Sequence, residues 1–381
     1  MRGSRIRKRI LRLVIVVIAF AVLASGGAYA YVKYRYSQIP KLKHTGVVTA
    51  PSGAPFDVLV AGTDSRAGLT AAQQKKYGNT IVAGGSRSDA TMVVRVSPAS
   101  GKVALLSIPY DTFVHIAGTS GSNKISDALN YGPSALVKTI QENFHIPINA
   151  FVGVNFSGLE KLVQALGGIN VYFPYPSKDP KSGLNQKSGC QLLNGTQALA
   201  LARSRYFYYY TNGKWQYDPT SGFGRIHRQH AVIRAMIAKA KSDVLGNPLA
   251  LNSFIGTAVH DVTINNGLSL SSLIHLAVTF RSFSSQSLNA VTLPTQIVNN
   301  YGSYGDVLFP VQSLDAKAIS RFLSVGSTYA PKASLALGSS GSTTSTTSTT
   351  SVNIPVPPPP PGGGGSIVQN RNRPSFDPTA C

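Results

Sequence analysis

Two groups of arginines lie close together near the middle of the chain, each in a setting that suits an anion. Arg203 and Arg205 follow a predicted short helix, and an extended backbone there would turn both side chains to one side. Arg225, Arg228 and Gln229 share one face of a second predicted helix, close to its N-terminus. Guanidinium groups bind phosphate oxygens in pairs, and the free N–H groups at a helix N-terminus also favour an anion. This arrangement predicts a phosphate site.

The alternative is a solvated basic surface, and the scarcity of acidic residues argues against it. Asp218 is the only carboxylate between Asp179 and Asp243, so few partners are at hand to neutralise the arginines. We therefore expect all four guanidinium groups to converge on one anion.

Two aspartates in the first third of the chain could complete this chemistry. Asp64 directly follows a predicted buried strand, at the strand end where open α/β sheets place their ligands, and Asp89 follows the next loop. Arg66 and Arg87 each lie two residues from one of these aspartates. Two carboxylates beside phosphate-binding arginines are what a Mg²⁺-assisted phosphoryl transfer requires. For either aspartate taken alone, a cap on a turn backbone is the preferred interpretation.

Strands alternate with helices between residues 55 and 327, which predicts one α/β domain that positions these side chains. Predicted strands cover residues 56–62, 91–96, 103–108, 151–156, 169–173 and 290–293. Predicted helices cover residues 134–144, 157–166, 195–201, 224–244, 269–280 and 313–322. The stretch after Arg205 is predicted as a loop, which either binds the faces of sugars or packs on the domain through Tyr206, Tyr208, Tyr209 and Tyr210.

The N-terminal residues predict a membrane anchor. The chain has 381 residues and a formal net charge of +22, for which nucleic acid is the first partner to consider. However, the basic residues 1–12 precede an apolar run at 13–32, about the 20 residues that cross a bilayer. This order predicts a single-pass cell-membrane protein with a cytoplasmic N-terminus and an extracytoplasmic domain, and it argues against nucleic acid. A cleaved signal peptide ending near Ala28–Ala30 is the alternative.

Both flanks of the domain are predicted to lack regular structure. Residues 33–54 form a stalk, and residues 338–381 form a disordered tail rich in Thr, Ser, Pro and Gly. The two cysteines, Cys190 and Cys381, either pair with each other or remain free or intermolecular thiols, because Cys381 ends that tail. Histidine offers no metal site, and His230 falls in register with the apolar face of its helix, which predicts a core or boundary position.

Six motifs resemble, in order and spacing, the successive signatures of the LytR-CpsA-Psr family. They cover about residues 55–244 and read Leu59-Val60-Ala61-Gly62-Thr63-Asp64-Ser65-Arg66, Arg87-Ser88-Asp89-Ala90-Thr91-Met92, Leu106-Ser107-Ile108-Pro109-Tyr110-Asp111-Thr112, Ala165-Leu166-Gly167-Gly168-Ile169, Leu193-Asn194-Gly195-Thr196-Gln197-Ala198-Leu199-Ala200 and Gly224-Arg225-Ile226-His227-Arg228-Gln229. The predicted anchor also matches the topology of that family. No single motif is decisive, but six in order are highly specific.

The resemblance implies a fold and a reaction. The fold is an α/β three-layer α-β-α sandwich with a mixed central sheet, behind a single N-terminal transmembrane helix. The reaction transfers a glycopolymer from a polyprenyl-pyrophosphate carrier to peptidoglycan, leaving a phosphodiester to a muramic acid hydroxyl. The lipid tail would lie in an apolar tunnel between sheet and helices, for which the helix faces at 136–144 and 159–166 are available.

The resemblance also implies roles for particular residues. By motif position, Asp64 and Asp89 hold Mg²⁺ or Mn²⁺, and Asp89 is also a catalytic residue that activates the acceptor. The pyrophosphate is bound by Arg66, Arg87, Arg203, Arg205, Arg225, Arg228, Gln229 and Tyr110, of which Arg66, Arg203 and Arg205 are also catalytic.

Tyr110 is a departure from the family pattern, which has a pyrophosphate-binding arginine directly before Asp111. A tyrosine hydroxyl donates one hydrogen bond but supplies no fixed charge, so a gap in the positive charge is expected here. Three functions therefore stay open. The retained aspartates and arginines favour the transferase, and hydrolysis of the polyprenyl-pyrophosphate by water is a related activity. Tyr110 favours a binding or scaffold protein that holds lipid-linked wall polymer without turnover.

Overall fold

The computed structural model describes residues 27, 29–51, 53–63, 87–244, 247–265, 267–273, 283–326, 367–368 and 374–381. Most of the predicted anchor at 13–32, the loop with Asp64 and Arg66, and most of the predicted tail lie outside these ranges. Within them, no helix is both long and apolar enough to span a bilayer.

The strands, in chain order, are β1 (Lys41–Leu42), β2 (Phe56–Thr63), β3 (Ser88–Ser97), β4 (Lys102–Ile108), β5 (Phe113–His115), β6 (Ser122–Lys124), β7 (Ala150–Asn155), β8 (Ile169–Phe173), β9 (Ser177–Asp179), β10 (Leu184–Gln186), β11 (Gly189–Leu193), β12 (Tyr208–Thr211), β13 (Lys214–Tyr217), β14 (Val262–Asn265), β15 (Asn289–Thr292), β16 (Thr295–Val298), β17 (Val307–Pro310), β18 (Ile367–Val368) and β19 (Thr379–Ala380). The longer helices are α1 (Pro133–Phe144), α2 (Phe156–Ala165), α3 (Gly195–Arg203), α4 (Gly222–Lys239), α5 (Pro248–Asp261) and α6 (Gln312–Ser324). Residues 29–37 are also helical and β1 pairs with β14, so the prediction that the stalk at 33–54 lacks regular structure is wrong for part of this segment. Residues Ile125–Tyr131 form a 3-10 helix.

Seven strands form a mixed central sheet in the order β1-β14-β7-β2-β3-β4-β15. β2 runs parallel to β7 and antiparallel to β3, and β4 runs antiparallel to β3. As a result, β2, β4 and β7 all end at the edge of the sheet where β3 begins. The predicted mixed sheet is confirmed. β3 begins earlier than predicted, at Ser88, because its polar first residues pair with the end of β2 across a bulge.

One face of the central sheet forms a closed core with α1 and α6. Leu59 and Leu106 of the sheet have no exposed surface, and Ile140 of α1 and Phe322 of α6 pack on the same cluster. The face of α1 at 136–144 is therefore ordinary core, and the suggestion that it lines a tunnel is wrong. The face at 159–166 belongs to a separate cluster around β8 and β11.

The opposite face of the sheet is covered less completely. Val60, Val94 and Val152 lie in the three adjacent strands β2, β3 and β7, yet all three remain partly exposed. Ile233 and Ile237 of α4 pack over this side of the sheet. Helices on both faces give the expected three layers, and the sheet–α4 side keeps an incompletely filled apolar strip.

The C-terminal residues 374–381 are ordered, which corrects the prediction of a disordered tail for this segment. β19 adds to β8 in a three-stranded sheet, so the chain end returns to the domain. Cys381 forms a disulfide with Cys190, which decides between the alternatives for the two cysteines. The ring of Phe376 stacks on Tyr209, with centroids 4.3 Å apart. The composition of the tail predicts disorder of the linker, but it does not indicate that the last residues bind back to the domain.

The tyrosine-rich stretch predicted as a loop is a β-hairpin. β12 and β13 pair in register and continue a four-stranded sheet through β9 and β10. The two residues between them, Asn212 and Gly213, have φ of 52° and 75°. Positive φ at both positions is the type I′ turn that an Asn-Gly pair favours. This dipeptide, between aromatic residues, is the sequence signal that could have predicted the hairpin.

Candidate functional site

Polar side chains gather at the sheet edge where β2, β4 and β7 end and β3 begins. Asp89 lies at the start of β3, and Tyr110 and Asp111 follow β4. Arg205 comes after α3, and Arg225 lies in the first turn of α4. The strand directions bring Asp89 and Tyr110 to one edge, and the contacts of Arg205 and Arg225 with Tyr110 place both arginines there as well.

Tyr110 lies between two arginines. Its ring centroid is 4.8 Å from Cζ of Arg205 and 4.5 Å from Cζ of Arg225. Its hydroxyl accepts a hydrogen bond from Nη2 of Arg205. Burial, followed by the hydrogen bond and charge of Asp111, raises the pKa of Tyr110 to about 12, so the phenol is neutral at physiological pH. The ring fills the position where a gap was expected, with Arg205 bonded to its hydroxyl and Arg225 packed over the ring.

Arg225 is the buried cation of the site. Its side chain is 5% exposed, and its Nη1 lies 3.8 Å from Oδ1 of Asp89. Its Nε is buried without a hydrogen-bond partner among the described residues. Burial lowers the pKa of Arg225, but a guanidinium stays protonated in proteins. A buried charge with an unsatisfied N–H gains most from an anionic ligand that accepts from it.

Arg203, at the end of α3, and Gln229, near the middle of α4, approach the same region. Cζ of Arg203 lies 4.4 Å from the ring centroid of Phe156, the residue that follows β7. Nε2 of Gln229 donates to the carbonyl of Ala202, directly before Arg203. These contacts place Arg203 at the same sheet edge. They also connect α4 to the segment Arg203-Ser204-Arg205, which we call the arginine triplet.

Arg228 does not belong to the anion-facing group, which corrects its assignment to the pyrophosphate. Its side chain is fully buried, and its Nη1 donates to Asp218 at 2.8 Å and to Asp377 at 2.9 Å. Its Nε and Nη2 donate to the carbonyl of Ser204. Arg228 is neutralised by Asp218, ten residues away along the chain, together with Asp377 from the C-terminal segment, so it is not left to bind an anion.

Three buried carboxylates hold the triplet in place, and none of them was assigned a supporting role from the sequence. Oδ2 of Asp179 accepts from the Ser204 hydroxyl at 2.7 Å and from the Tyr206 backbone at 2.9 Å. Asp218 accepts from the backbone of Thr220, just before α4. Asp179, Asp218 and Asp377 all have no exposed surface. Ion pairs and hydrogen bonds of these buried carboxylates therefore support the arginine triplet.

Three other predicted site residues are either largely exposed or lie outside the described residues. Nε of Arg87 contacts Oδ1 of Asp127 at 3.0 Å, and its side chain is two-thirds exposed, at 66%. Its role as a phosphate ligand stays a prediction. Asp64 and Arg66 lie outside the described residues, although Thr63 fixes the point at which their loop leaves the sheet edge.

Asp89 is the described carboxylate best suited to a divalent cation. Its side chain is 36% exposed, whereas Asp111 pairs with Nζ of Lys124 at 2.8 Å. Among the described residues, no group of three or more His, Cys, Asp or Glu side chains could hold a metal. Mg²⁺ is often bound by one or two carboxylates together with substrate phosphate oxygens, so Asp89 fits a site that the ligand completes.

His230 lies in the core, as predicted. It is 8% exposed, and its Nε2 is 2.7 Å from the hydroxyl oxygen of Ser107 on β4. Burial, together with the charges of His227 and Arg234, lowers the pKa of His230 to about 3. The imidazole is therefore neutral, and it anchors α4 to the sheet.

Known proteins resemble this chain in sequence and in fold. A Corynebacterium glutamicum protein named probable cell wall biosynthesis protein LcpB is 29% identical over 247 residues, and the match covers 64% of this chain and 56% of that relative. An Enterococcus faecalis protein named polyisoprenyl-teichoic acid–peptidoglycan teichoic acid transferase TagU is 30% identical over 280 residues, which covers 70% of this chain and 81% of the relative.

The fold resembles that of the LytR-Csp2A-Psr enzyme from Actinomyces oris, with a TM-score of 0.59 at 22% identity over 74% of this chain and 95% of that one. The model of the LytR_cpsA_psr family matches residues 26–322, which is most of the chain. Together with the mixed sheet and the arginine-lined edge, this match shows that the chain belongs to the LytR_cpsA_psr family.

Proposed function

We propose that this protein is a membrane-anchored transferase that moves a glycopolymer from a polyprenyl-pyrophosphate carrier to peptidoglycan. The observation that carries the proposal is the pairing of Arg205 and buried Arg225 around Tyr110, within reach of Asp89. The relative TagU is named as a teichoic acid transferase that acts on peptidoglycan, which supports this reaction class.

The arginines would bind the pyrophosphate and stabilise the charge that develops during transfer. In the proposed step, an acceptor hydroxyl of peptidoglycan attacks the phosphorus that carries the polymer. The new phosphodiester forms, the bond to the carrier breaks, and polyprenyl phosphate leaves with its charge. Fixed guanidinium groups such as Arg205 and Arg225 lower the barrier because they need no reorganisation as this charge shifts.

Asp89 would serve the acceptor side of the reaction. Its exposed carboxylate can bind a divalent cation together with phosphate oxygens, and it can accept the proton of the acceptor hydroxyl. A bound Mg²⁺ or Mn²⁺ would neutralise negative charge on the pyrophosphate. Tyr110 would not be the base, because its pKa of about 12 keeps the phenol protonated.

The apolar strip between sheet and α4 would bind the polyprenyl chain. Val60 pairs across the sheet with Met92 and Val152, and Gly62 pairs with Ala90 and Val154 nearer the polar edge. On α4, Arg225, Gln229, Ile233 and Ile237 recur at four-residue spacing, so one helix face changes from polar to apolar. A ligand with an anionic head and a hydrocarbon tail matches this change along the strip.

The proposed location is the outer side of the cell membrane, with the N-terminus in the cytoplasm. The apolar run at 13–32 behind a basic segment supports an anchor in this orientation. The Cys190–Cys381 disulfide supports an oxidising compartment, where such bonds persist.

The test is polymer transfer by the full chain in detergent, with lipid-linked wall polymer and peptidoglycan as substrates. Release of polyprenyl phosphate and attachment of polymer are both measured at limiting Mg²⁺. Asp89→Asn should lower both rates on the order of 10²-fold or more, comparable to removing one preorganised charge-stabilising group. Arg321→Ala, an exposed cation on α6, serves as the control and should change neither rate.

The outcomes separate the competing functions. Release of polyprenyl phosphate that does not require peptidoglycan would indicate a hydrolase. Binding of the lipid-linked polymer, detected by mass spectrometry of extracted lipid, with no release would indicate a binding protein. Equal rates for Asp89→Asn and the wild type would remove Asp89 from the site.

A further inference from the structure

The hairpin of β12 and β13 presents four aromatic rings on one open face. Directly opposed residues share a face of an antiparallel sheet, so the pairs Tyr208–Tyr217 and Tyr210–Trp215 lie on the same side. Their ring centroids are 5.2 Å and 5.4 Å apart, respectively. Tyr210, Trp215 and Tyr217 are each at least 40% exposed. We call these four residues, with Lys178, the aromatic face.

The opposite side of the hairpin is fixed to the domain, so the aromatic face is rigid. Tyr209 points the other way and stacks on Phe376 of the disulfide-anchored C-terminal segment. Asp179, on the same strand as Lys178 but on the buried side, is tied to Ser204 and Tyr206. The Asn212–Gly213 turn closes the hairpin without a long loop.

The chemistry of the aromatic face suits a saccharide. Every exposed ring on it carries a hydroxyl or an indole N–H, which combines an apolar surface with a hydrogen-bonding group. Nζ of Lys178 lies 3.9 Å from the ring centroid of Trp215, and exposed Asn185 is paired with Lys178 on the next strand. The neighbouring acids Asp179 and Asp218 are buried. The surface therefore combines aromatic rings, hydrogen-bonding groups and the cationic Lys178, which together complement an anionic chain of sugars.

The aromatic face begins at the arginine site. Tyr206 is 50% exposed, directly follows Arg205 and lies two residues before Tyr208, where β12 begins. At most about 11 Å of chain separates Arg205 from Tyr208, the first residue of the aromatic face. The aromatic face therefore lies next to the arginines to which the proposed pyrophosphate would bind.

We propose that the aromatic face binds the saccharide chain of the donor glycopolymer where it leaves the pyrophosphate site. This inference rests on the proposed function and adds the surface that selects the polymer. Stacking on several rings would hold the chain close to the reacting phosphorus at a high effective concentration.

A membrane contact is the main competing explanation, because Tyr, Trp and Lys also occur at bilayer surfaces. The composition of the hairpin argues against it. Its tip, from Thr211 to Lys214, is polar, and no exposed Leu, Ile or Phe on the hairpin could enter the hydrocarbon. Its side chains offer hydrogen bonds along the whole face instead.

The full chain kept soluble in amphipol, which leaves lipid vesicles intact, gives a direct test, because Trp215 is its only tryptophan. Wall glycopolymer released from its lipid by mild acid is titrated while Trp215 fluorescence and its quenching by acrylamide are followed. Soluble peptidoglycan fragments and phosphatidylglycerol vesicles form two further arms. The proposal expects the glycopolymer to shift the fluorescence and protect Trp215, with weaker effects from the other two probes.

Substitutions then locate the contact. Tyr210→Ala and Tyr217→Ala should each weaken glycopolymer binding about three- to tenfold, as expected for loss of one aromatic contact. Tyr131→Ala, an exposed tyrosine elsewhere on the domain, should leave binding unchanged. Urea unfolding of each variant shows whether the fold is kept. If a variant does not fold, the titration of the wild-type protein still tests the proposal.

Several results would overturn the inference. Protection by vesicles but not by glycopolymer would make the surface a membrane contact, and stronger protection by peptidoglycan fragments would make it an acceptor site. No protection by any probe would remove the binding role. The glycopolymer probe contains neither lipid nor pyrophosphate, so its binding can be detected even if the transfer assay fails. Likewise, transfer can be detected even if the free glycopolymer does not bind.

Discussion

The buried contact between Arg228 and Asp377 connects the C-terminal segment to the arginine triplet, and Asp377→Asn would test whether it positions that triplet. The substitution removes one of the two negative charges on a guanidinium that has no exposed surface. Hydrogen bonds to charged groups contribute about 1.5–3 kcal/mol each, so we expect a loss of this size in the free energy of unfolding. It should stay below the roughly 3–5 kcal/mol of breaking a buried pair outright, because Asp218 remains.

Turnover should fall as well, because Arg228 also donates to the carbonyl of Ser204, between Arg203 and Arg205. A shift of this guanidinium would move the backbone that carries both site arginines. Misplacement of about 1 Å costs on the order of 10²-fold in rate, so a loss of about 10- to 100-fold in polymer transfer is expected. Urea unfolding and release of polyprenyl phosphate measure the two effects.

Asp57→Asn is the matched control, since it removes a similar buried charge far from the site. Oδ2 of Asp57 lies 2.7 Å from Nη1 of Arg95, and Asp57 has no exposed surface. It lies at the start of β2, about 20 Å from the strand end where the site lies. Burial, partly offset by Arg95, raises the pKa of Asp57 to about 6, so both variants are compared at about pH 8, where the carboxylate is ionised.

The two variants should lose comparable stability, but only Asp377→Asn should lose turnover. If Asp377→Asn is destabilised like the control and still transfers polymer at the wild-type rate, the network does not position the triplet. In that case the contact serves stability alone.

Three further predictions concern the site, the chain end and pH. Tyr110→Phe should keep the ring between Arg205 and Arg225 and lower donor binding less than Tyr110→Ala, as measured by titration; equal losses would show that the ring contributes nothing. Cys381→Ser opens a loop of 191 residues and should lower the free energy of unfolding by up to about 5 kcal/mol by chain entropy, and an unchanged urea midpoint would contradict this. Burial raises the pKa of Asp315 from 3.8 to about 7, so the folded state binds the carboxyl proton more tightly than the unfolded state does. The free energy of unfolding should therefore fall as the pH rises from 3.8 to about 7. Asp315→Asn should remove this part of the pH dependence in urea unfolding, and a wild-type minus variant difference that is constant with pH would refute the assignment.

Local patterns in the sequence predicted most of the scaffold. The strands that carry Leu59, Val93 and Leu106 and the helix that carries Ile140 were read from apolar spacing, because a buried face repeats along the chain. Arg205, Arg225 and Asp89 were selected by residue type and motif position, and the structure brings these three together. The roles of Asp64 and Arg66 remain predictions.

The tertiary structure decided which charges face the site and which support it. Arg228 was assigned to the phosphate from its helix face, yet its partner Asp377 lies 149 residues away along the chain. Contacts between distant residues also decide the position of Tyr110. Its ring contacts Arg205 and Arg225 and fills the place where a gap in positive charge was expected. Ion pairs, ring contacts and the disulfide depend on which distant segments meet in space. Motifs and periodicity record only neighbours along the chain, so the sequence could predict the elements but not these pairings.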